Sequence, residues 1–270
     1  MRAEALADPY IFPRHQAEVN RLDLQHYALA EVIGTHYLAP VKDPATILDV
    51  GSGTGQWVVD LCRAFPHALG LGLDLVAHSG PARTPSNYRL VRGDVVAGLP
   101  FADGAFEFVH QRLLRPGVPA AAWDRVILEL ARVTSPGGWV ELAEVAGNGV
   151  ESAGPATQEL FGQLLRLMEA RGLDHDGAAT VRLDDGLRRA GLTNIGVRRV
   201  DVPVGEWGGR AGSFMASDTR AAFIRLAPVV EARLGIPASH TLQLVSRTLG
   251  ECEDHHTTIA FSYAWGQRPR

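Results

Sequence analysis

With two cysteines in 270 residues, Cys62 and Cys252, the chain has no disulfide framework and must be held by a hydrophobic core. Cys62 falls on a helix that should pack against a sheet, so buried thiols are expected rather than a bridge. No apolar run approaches the ~20 residues that a membrane-spanning helix needs. The start, Met1 to Pro9, lacks the apolar stretch of a secretory signal, and a cytoplasmic protein is expected. Basic charge is also missing: the net charge of -4 leaves no phosphate-tracking footprint. Arg188-Arg189 and Arg198-Arg199 read as solvated pairs, so neither nucleic acid nor membrane is an expected partner. No histidine and cysteine group has zinc-site spacing. His255 and His256 are adjacent in what reads as a strand, which sends their side chains to opposite faces. No metal is expected.

What is present is an ordinary globular composition, 46% hydrophobic and 21% charged, with strands and helices alternating and no linker between them. One domain over 1–270 is the reading. Its most informative stretch is Thr46-Ile47-Leu48-Asp49-Val50-Gly51-Ser52-Gly53-Thr54-Gly55-Gln56-Trp57, a buried strand running through a glycine turn into an apolar-faced helix. A dinucleotide turn wants glycines at its first, third and sixth positions. Here they stand first, third and fifth, with Gln56 sixth, which disfavours a nicotinamide oxidoreductase. Two further strands, Leu69 to Asp74 and Tyr88 to Asp94, end in acids. Asp74 suits a ribose diol and Asp94 an adenine amino group, so the pair favours an adenosyl ligand.

With these residues in view, the chain resembles the class I S-adenosylmethionine-dependent methyltransferases. The glycine motif, the Asp74 strand end, Gly93-Asp94-Val95, the strand Phe106 to His110 and the entry Ser135-Pro136-Gly137-Gly138-Trp139 follow in family order. The resemblance implies a Rossmann-like α/β fold: a mostly parallel sheet of about seven strands with a reversed edge strand and helical lid elements. Upstream, Tyr10-Ile11-Phe12-Pro13 and Arg21-Leu22-Asp23-Leu24-Gln25-His26 resemble the group that holds actinobacterial natural-product methyltransferases and fungal methyltransferase-like regulators of secondary metabolism. It implies S-adenosylmethionine as cofactor and a small molecule as partner, with methylation of carbon or nitrogen in an indole-type natural product favoured over oxygen. A regulator or scaffold with little catalysis is the alternative. A homo-oligomer is left open.

The helical pattern from Ala17 to Leu38 places Leu22, His26, Leu29 and Ile33 on one face, and a lid over about 10–40 is expected. A second apolar stripe, Leu160, Leu164, Leu167 and Met168, reads as core or lid. A helical insertion over about 205–254, carrying Trp207, Phe214, Met215, Phe223 and Leu226, is the expected cover for the acceptor. Gly51, Ser52, Gly53, Gly55, Asp74, Leu75, Gly93, Asp94, Val95, Gln111 and Arg112 are the expected cofactor residues, with Gln111 acting through its backbone and Arg21 and Gln25 reaching the ligand carboxylate from the lid. Methyl transfer needs alignment and exclusion of water more than a covalent nucleophile. Glu144, at the ligand end of the fifth strand, is the candidate to stabilise charge or take a proton, with an exposed strand-end acid as the competing reading. His110 and His26 are the further catalytic candidates, each weighed against a hydrogen-bonded packing histidine.

Overall fold

Ile47, Leu48 and Val50 have no exposed surface, because helices cover both faces of the strand that carries them. The structure, a computed structural model, describes residues 11–12, 16–76, 84–180 and 182–270. Tyr10 and Pro13 of the upstream motif lie outside the described residues. The chain runs α1 (Gln16–Ile33), β1 (Thr46–Val50), α2 (Gln56–Ala64), β2 (Leu69–Asp74), β3 (Tyr88–Arg92), β4 (Phe106–Arg112), α3 (Trp123–Val133), β5 (Thr134–Val145), α4 (Pro155–Glu169), α5 (Leu183–Arg189), β6 (Thr193–Pro203), α6 (Gly209–Leu234), α7 (Ala238–His255) and β7 (Thr258–Gln267). The strands form a seven-stranded sheet in the order β3-β2-β1-β4-β5-β7-β6. β1 pairs in parallel with both β2 and β4. The reversed strand, β7, is antiparallel to both β5 and β6 and sits one place in from the β6 edge.

Chain order reverses between β1 and β4, so a crevice opens at their carboxyl ends, where ligands of open α/β sheets bind. Two devices bring helices over it. Buried Glu141 on β5 accepts the backbone N–H groups of Leu38 and Ala39 at 2.7 and 2.5 Å, which pins the connection from α1 to β1. On α1, Ala28, Leu29 and Ile33 join a core cluster with Met215, Phe223, Leu226 and Val230 of α6. Burying each large side chain there contributes roughly 1.5–3 kcal/mol, so the inserted helix is anchored by the same apolar stripe that folds α1 down.

Both cysteines are buried free thiols. His255 and His256 differ from the strand reading: His255 ends α7, and His256 is its left-handed C-cap at φ 51°. Histidine is among the few residues enriched at positive φ, so the pair marks a helix stop. The arginine pairs are surface ion pairs, Arg188 with Asp184 and Asp185, and Arg199 with Asp201.

Candidate active site

A cavity of about 240 Å³ occupies the crevice, and its wall divides by chemistry. The glycine turn, Asp74, the end of β4 and α1 supply a polar half; α4, α6 and β7 supply an apolar half with Phe161, Met168, Met215, Phe223 and Phe261. Of the expected cofactor residues, Arg21, Gln25, Gly51, Ser52, Gly53, Asp74 and Arg112 line it. Among the described residues its lining does not include Gly55, Leu75, Gly93, Asp94, Val95 or Gln111.

Five of these six have another local role. A Cβ on Gly55 would meet the Tyr88 hydroxyl at 2.3 Å, so tyrosine packing beneath the turn requires glycine there. Asp94 is exposed and accepts the Val96 N–H at 2.9 Å as a turn acid. Val95 is buried in the core cluster formed with Leu73 and Leu99. A Cβ on Gly93 would crowd Leu73 at 2.9 Å. Gln111 is fully buried, and its side chain donates to Glu144. Asp74 has a second task that the sequence reading missed. Its oxygens accept the N–H groups of Gly53 at 2.9 Å and Val76 at 3.0 Å, so the same carboxylate that edges the cavity fixes the turn.

The three catalytic candidates line the cavity but are engaged elsewhere. Glu144 is neither exposed nor open: one oxygen accepts Gln111 Nε2 at 2.5 Å and the Leu114 N–H at 2.7 Å, the other the Arg115 N–H at 3.2 Å. Burial pushes its carboxyl up to about 7. It holds the turn after β4, where Leu113 adopts φ 58° and Leu114 packs on Gly51. The His110 ring is stacked on Trp57 at 3.7 Å, with Nδ1 2.8 Å from Asp49; its Nε2 is covered and has no hydrogen-bond partner among the described residues. Burial lowers its pKa.

His26 is the most constrained. Arg112 lies 3.1 Å from its Nδ1, and a guanidinium only donates, so Nδ1 accepts and the ring proton sits on Nε2, facing Asp60 at 3.0 Å. Burial, reinforced by Arg112, brings its pKa down to about 4. His26, His36 and Asp60 each offer a ligand atom within 4.8 Å of one another, the one group of metal-ligating type among the described residues. A cation on His26 Nε2 would force the proton to Nδ1, against Arg112.

Sequence reasoning named Arg21 and Gln25 but missed Asp218, their partner across the two halves. Arg21 Nη1 donates to Asp218 of α6 at 2.6 Å and Gln25 Nε2 to the same carboxylate at 3.3 Å, both within the cavity wall. Thr54 in the glycine turn donates to Asp23 at 2.8 Å. Asp218 lay within the flagged insertion, but polar residues there carried no motif. Trp207 is a loop anchor and not a cavity wall: its Nε1 donates to the Val204 carbonyl at 3.0 Å, and its ring stacks on His256.

Residues 47–138 match the family model described as a methyltransferase domain. The chain is 32% identical over 213 residues to Methyltransferase str3 of Strobilurus tenacellus, covering 76% of this chain and 74% of the relative. It is 26% identical over 275 residues to N-methyltransferase verN of Clonostachys rogersoniana, covering 96% and 93%. Among solved structures, Haemonchus contortus phosphoethanolamine N-methyltransferase 2 in complex with S-adenosyl-L-methionine superposes with a TM-score of 0.53 at 14% identity, over 92% of this chain and 53% of that one, a likeness of fold. Glycine turn, switch-point crevice and these matches agree: the chain belongs to the class I S-adenosylmethionine-dependent methyltransferases.

Proposed function

We propose that the chain methylates a nitrogen or carbon atom of a small, largely apolar natural product of aromatic, indole-like type. The observation that carries this reading is the division of one cavity into a polar half at the glycine turn and an apolar, aromatic half under the inserted helix. The name of verN, an N-methyltransferase matched over nearly its whole length, supports nitrogen.

The polar half fits the cofactor. Asp74 presents a carboxylate edge suited to ribose hydroxyls, Arg21, Gln25 and Arg112 gather cationic and amide donors for a carboxylate, and buried Ser52 Oγ has no partner among the described residues. Gly51, Ser52 and Gly53 would pass beneath the ligand. When bound, S-adenosylmethionine supplies an electrophilic methyl group on a sulfonium. The protein's part is alignment and shielding: α1 and α6, joined through Arg21 and Asp218, close over the reacting atoms, and the aromatic wall sets the acceptor's plane. Glu144 and His110 act as positioning residues, Glu144 through the turn 113–115 and His110 through Asp49 and Trp57.

Calorimetry with S-adenosylhomocysteine, followed by mass analysis of products from a panel of indoles, aryl amines and phenols, tests the reading. Methylated indole or amine is the expected product. Cofactor binding with no acceptor turned over would favour a regulatory protein, and exclusive methylation of phenols would overturn the nitrogen or carbon assignment.

A further inference from the structure

A second cavity, of about 330 Å³, adjoins the first and shares Asn148, Phe161 and Leu165 with its wall. Its other side is one face of α4: Gln158, Phe161, Gly162 and Leu165 recur at the three- and four-residue spacing of a helical stripe. Facing them is the segment after β5, with Val150, Ser152 and Ala153.

Gly162 is the informative residue. Glycine inside a helix costs about 1 kcal/mol relative to alanine, and it is usually retained where a side chain would collide with a neighbour. Among the described residues no neighbour requires it, since a Cβ on Gly162 would meet none of them within 4 Å. By contrast, a Cβ on Gly154, just before α4, would strike the Glu251 side chain at 2.6 Å. The space left by Gly162 lies on the wall of the second cavity.

We infer that the acceptor site has two chambers, with the reacting ring in the first and a tail of the same molecule in the second, passing between Phe161 and Leu165. This inference rests on the proposed function and extends it to the shape of the acceptor. The chemistry of the tail follows from the wall. Val150, Phe161 and Leu165 line the inner part, while Asn148, Ser152 and Gln158 are exposed at the mouth, and no acid or base among the described residues lines the cavity. The tail is an uncharged apolar chain or second ring that ends in a polar group near solvent.

A ladder of 1-alkylindoles, from methyl to octyl, tests this by calorimetry on the full chain saturated with S-adenosylhomocysteine. In the wild-type protein the affinity should rise with chain length once the tail enters the second chamber, by up to about fourfold for each methylene buried. Gly162→Trp should abolish that rise while leaving the affinities for 1-methylindole and for S-adenosylhomocysteine unchanged. Gly162→Ala should keep the rise and melt at a higher temperature. Ser152→Trp, which fills the same space from the loop side, repeats the test if Gly162→Trp does not fold. A flat ladder in the wild type, or a full rise in both tryptophan variants, overturns the second chamber while 1-methylindole binding keeps the function reading. Failure of every indole, 1-methylindole included, to bind a protein that still binds S-adenosylhomocysteine overturns both.

Discussion

The two halves of the main cavity are built on different principles. On the polar side, backbone geometry and side-chain partners are fixed together: the glycine turn hangs from Asp74, Thr54 holds Asp23, and His110 is clamped between Asp49 and Trp57. On the apolar side, Phe161, Met215, Phe223 and Phe261 come from three separate elements and meet through packing alone. Packed walls accept volume-conserving exchange, whereas hydrogen-bonded turns with positive φ do not. One half can therefore stay constant for a shared cofactor while the other changes with the acceptor.

The seam between the halves should give the largest effect. Arg21→Met removes the cation from a buried ion pair that ties α1 to α6, which costs on the order of 3–5 kcal/mol. Thermal melting should fall clearly, and adding Asp218→Asn in the same chain should recover part of the loss. An unchanged melting temperature would reduce the pair to a contact without structural weight.

Next in size is a pH effect at Glu144. Its carboxyl is near 7 when folded, against 4.5 for the free group, so folding favours the protonated form. The stability this contributes is complete below 4.5 and is lost as pH rises through 7, a swing of about 3 kcal/mol. Glu144→Gln cannot titrate, so its melting temperature should fall less steeply from about pH 5 to pH 8. Glu141, also raised to about 7 by burial, retains its own share of the slope. Parallel curves for variant and wild type would show that Glu144 does not titrate in this range.

On the polar side itself, Asp74→Ala should weaken S-adenosylmethionine binding by ~1.5–3 kcal/mol, tenfold to a hundredfold, as read by calorimetry. On the apolar side, Phe223→Leu should cost less than about 1.5 kcal/mol of stability, leave cofactor affinity unchanged and alter the KM for the acceptor. A Phe223→Leu protein that lost cofactor affinity as Asp74→Ala does would erase the distinction between the halves.

The legible parts of the site are those whose geometry is local in sequence. The strand–turn–helix of 46–57, the acid at Asp74 and the inserted helices could all be read from adjacent residues, and the resemblance ordered them into the fold. What could not be read depended on distant partners. Glu144 at a strand end looks like a reacting acid until the turn 113–115 folds back onto it. His26 on a helix face gives no sign of Asp60 and Arg112, and Gly55 gives no sign of Tyr88. Asp94 follows β3 two residues after its end at Arg92, and its strand-end acid signal gives no sign that its carboxylate also accepts the Val96 N–H. His256 carried a readable signal, the tolerance of histidine for positive φ, which the strand-like composition after it concealed.

The smallest effect expected is none, under chelation. His26, His36 and Asp60 are the one place among the described residues where a cation could take three ligands, so they are where this expectation can fail. The His26 tautomer argues against a cation there: Nδ1 accepts from Arg112, the proton occupies Nε2, and a metal on Nε2 would set an N–H against a guanidinium. Asp60 is engaged too, accepting from Gln56 and Arg63 at 2.8 Å each. Melting temperature and turnover should therefore be the same with and without a chelator. The prediction fails if activity is lost in chelator and restored by zinc, with His36→Ala abolishing the rescue. The polar half would then hold a metal beside its cofactor, and the link from α1 to α2 would be coordination instead of hydrogen bonding.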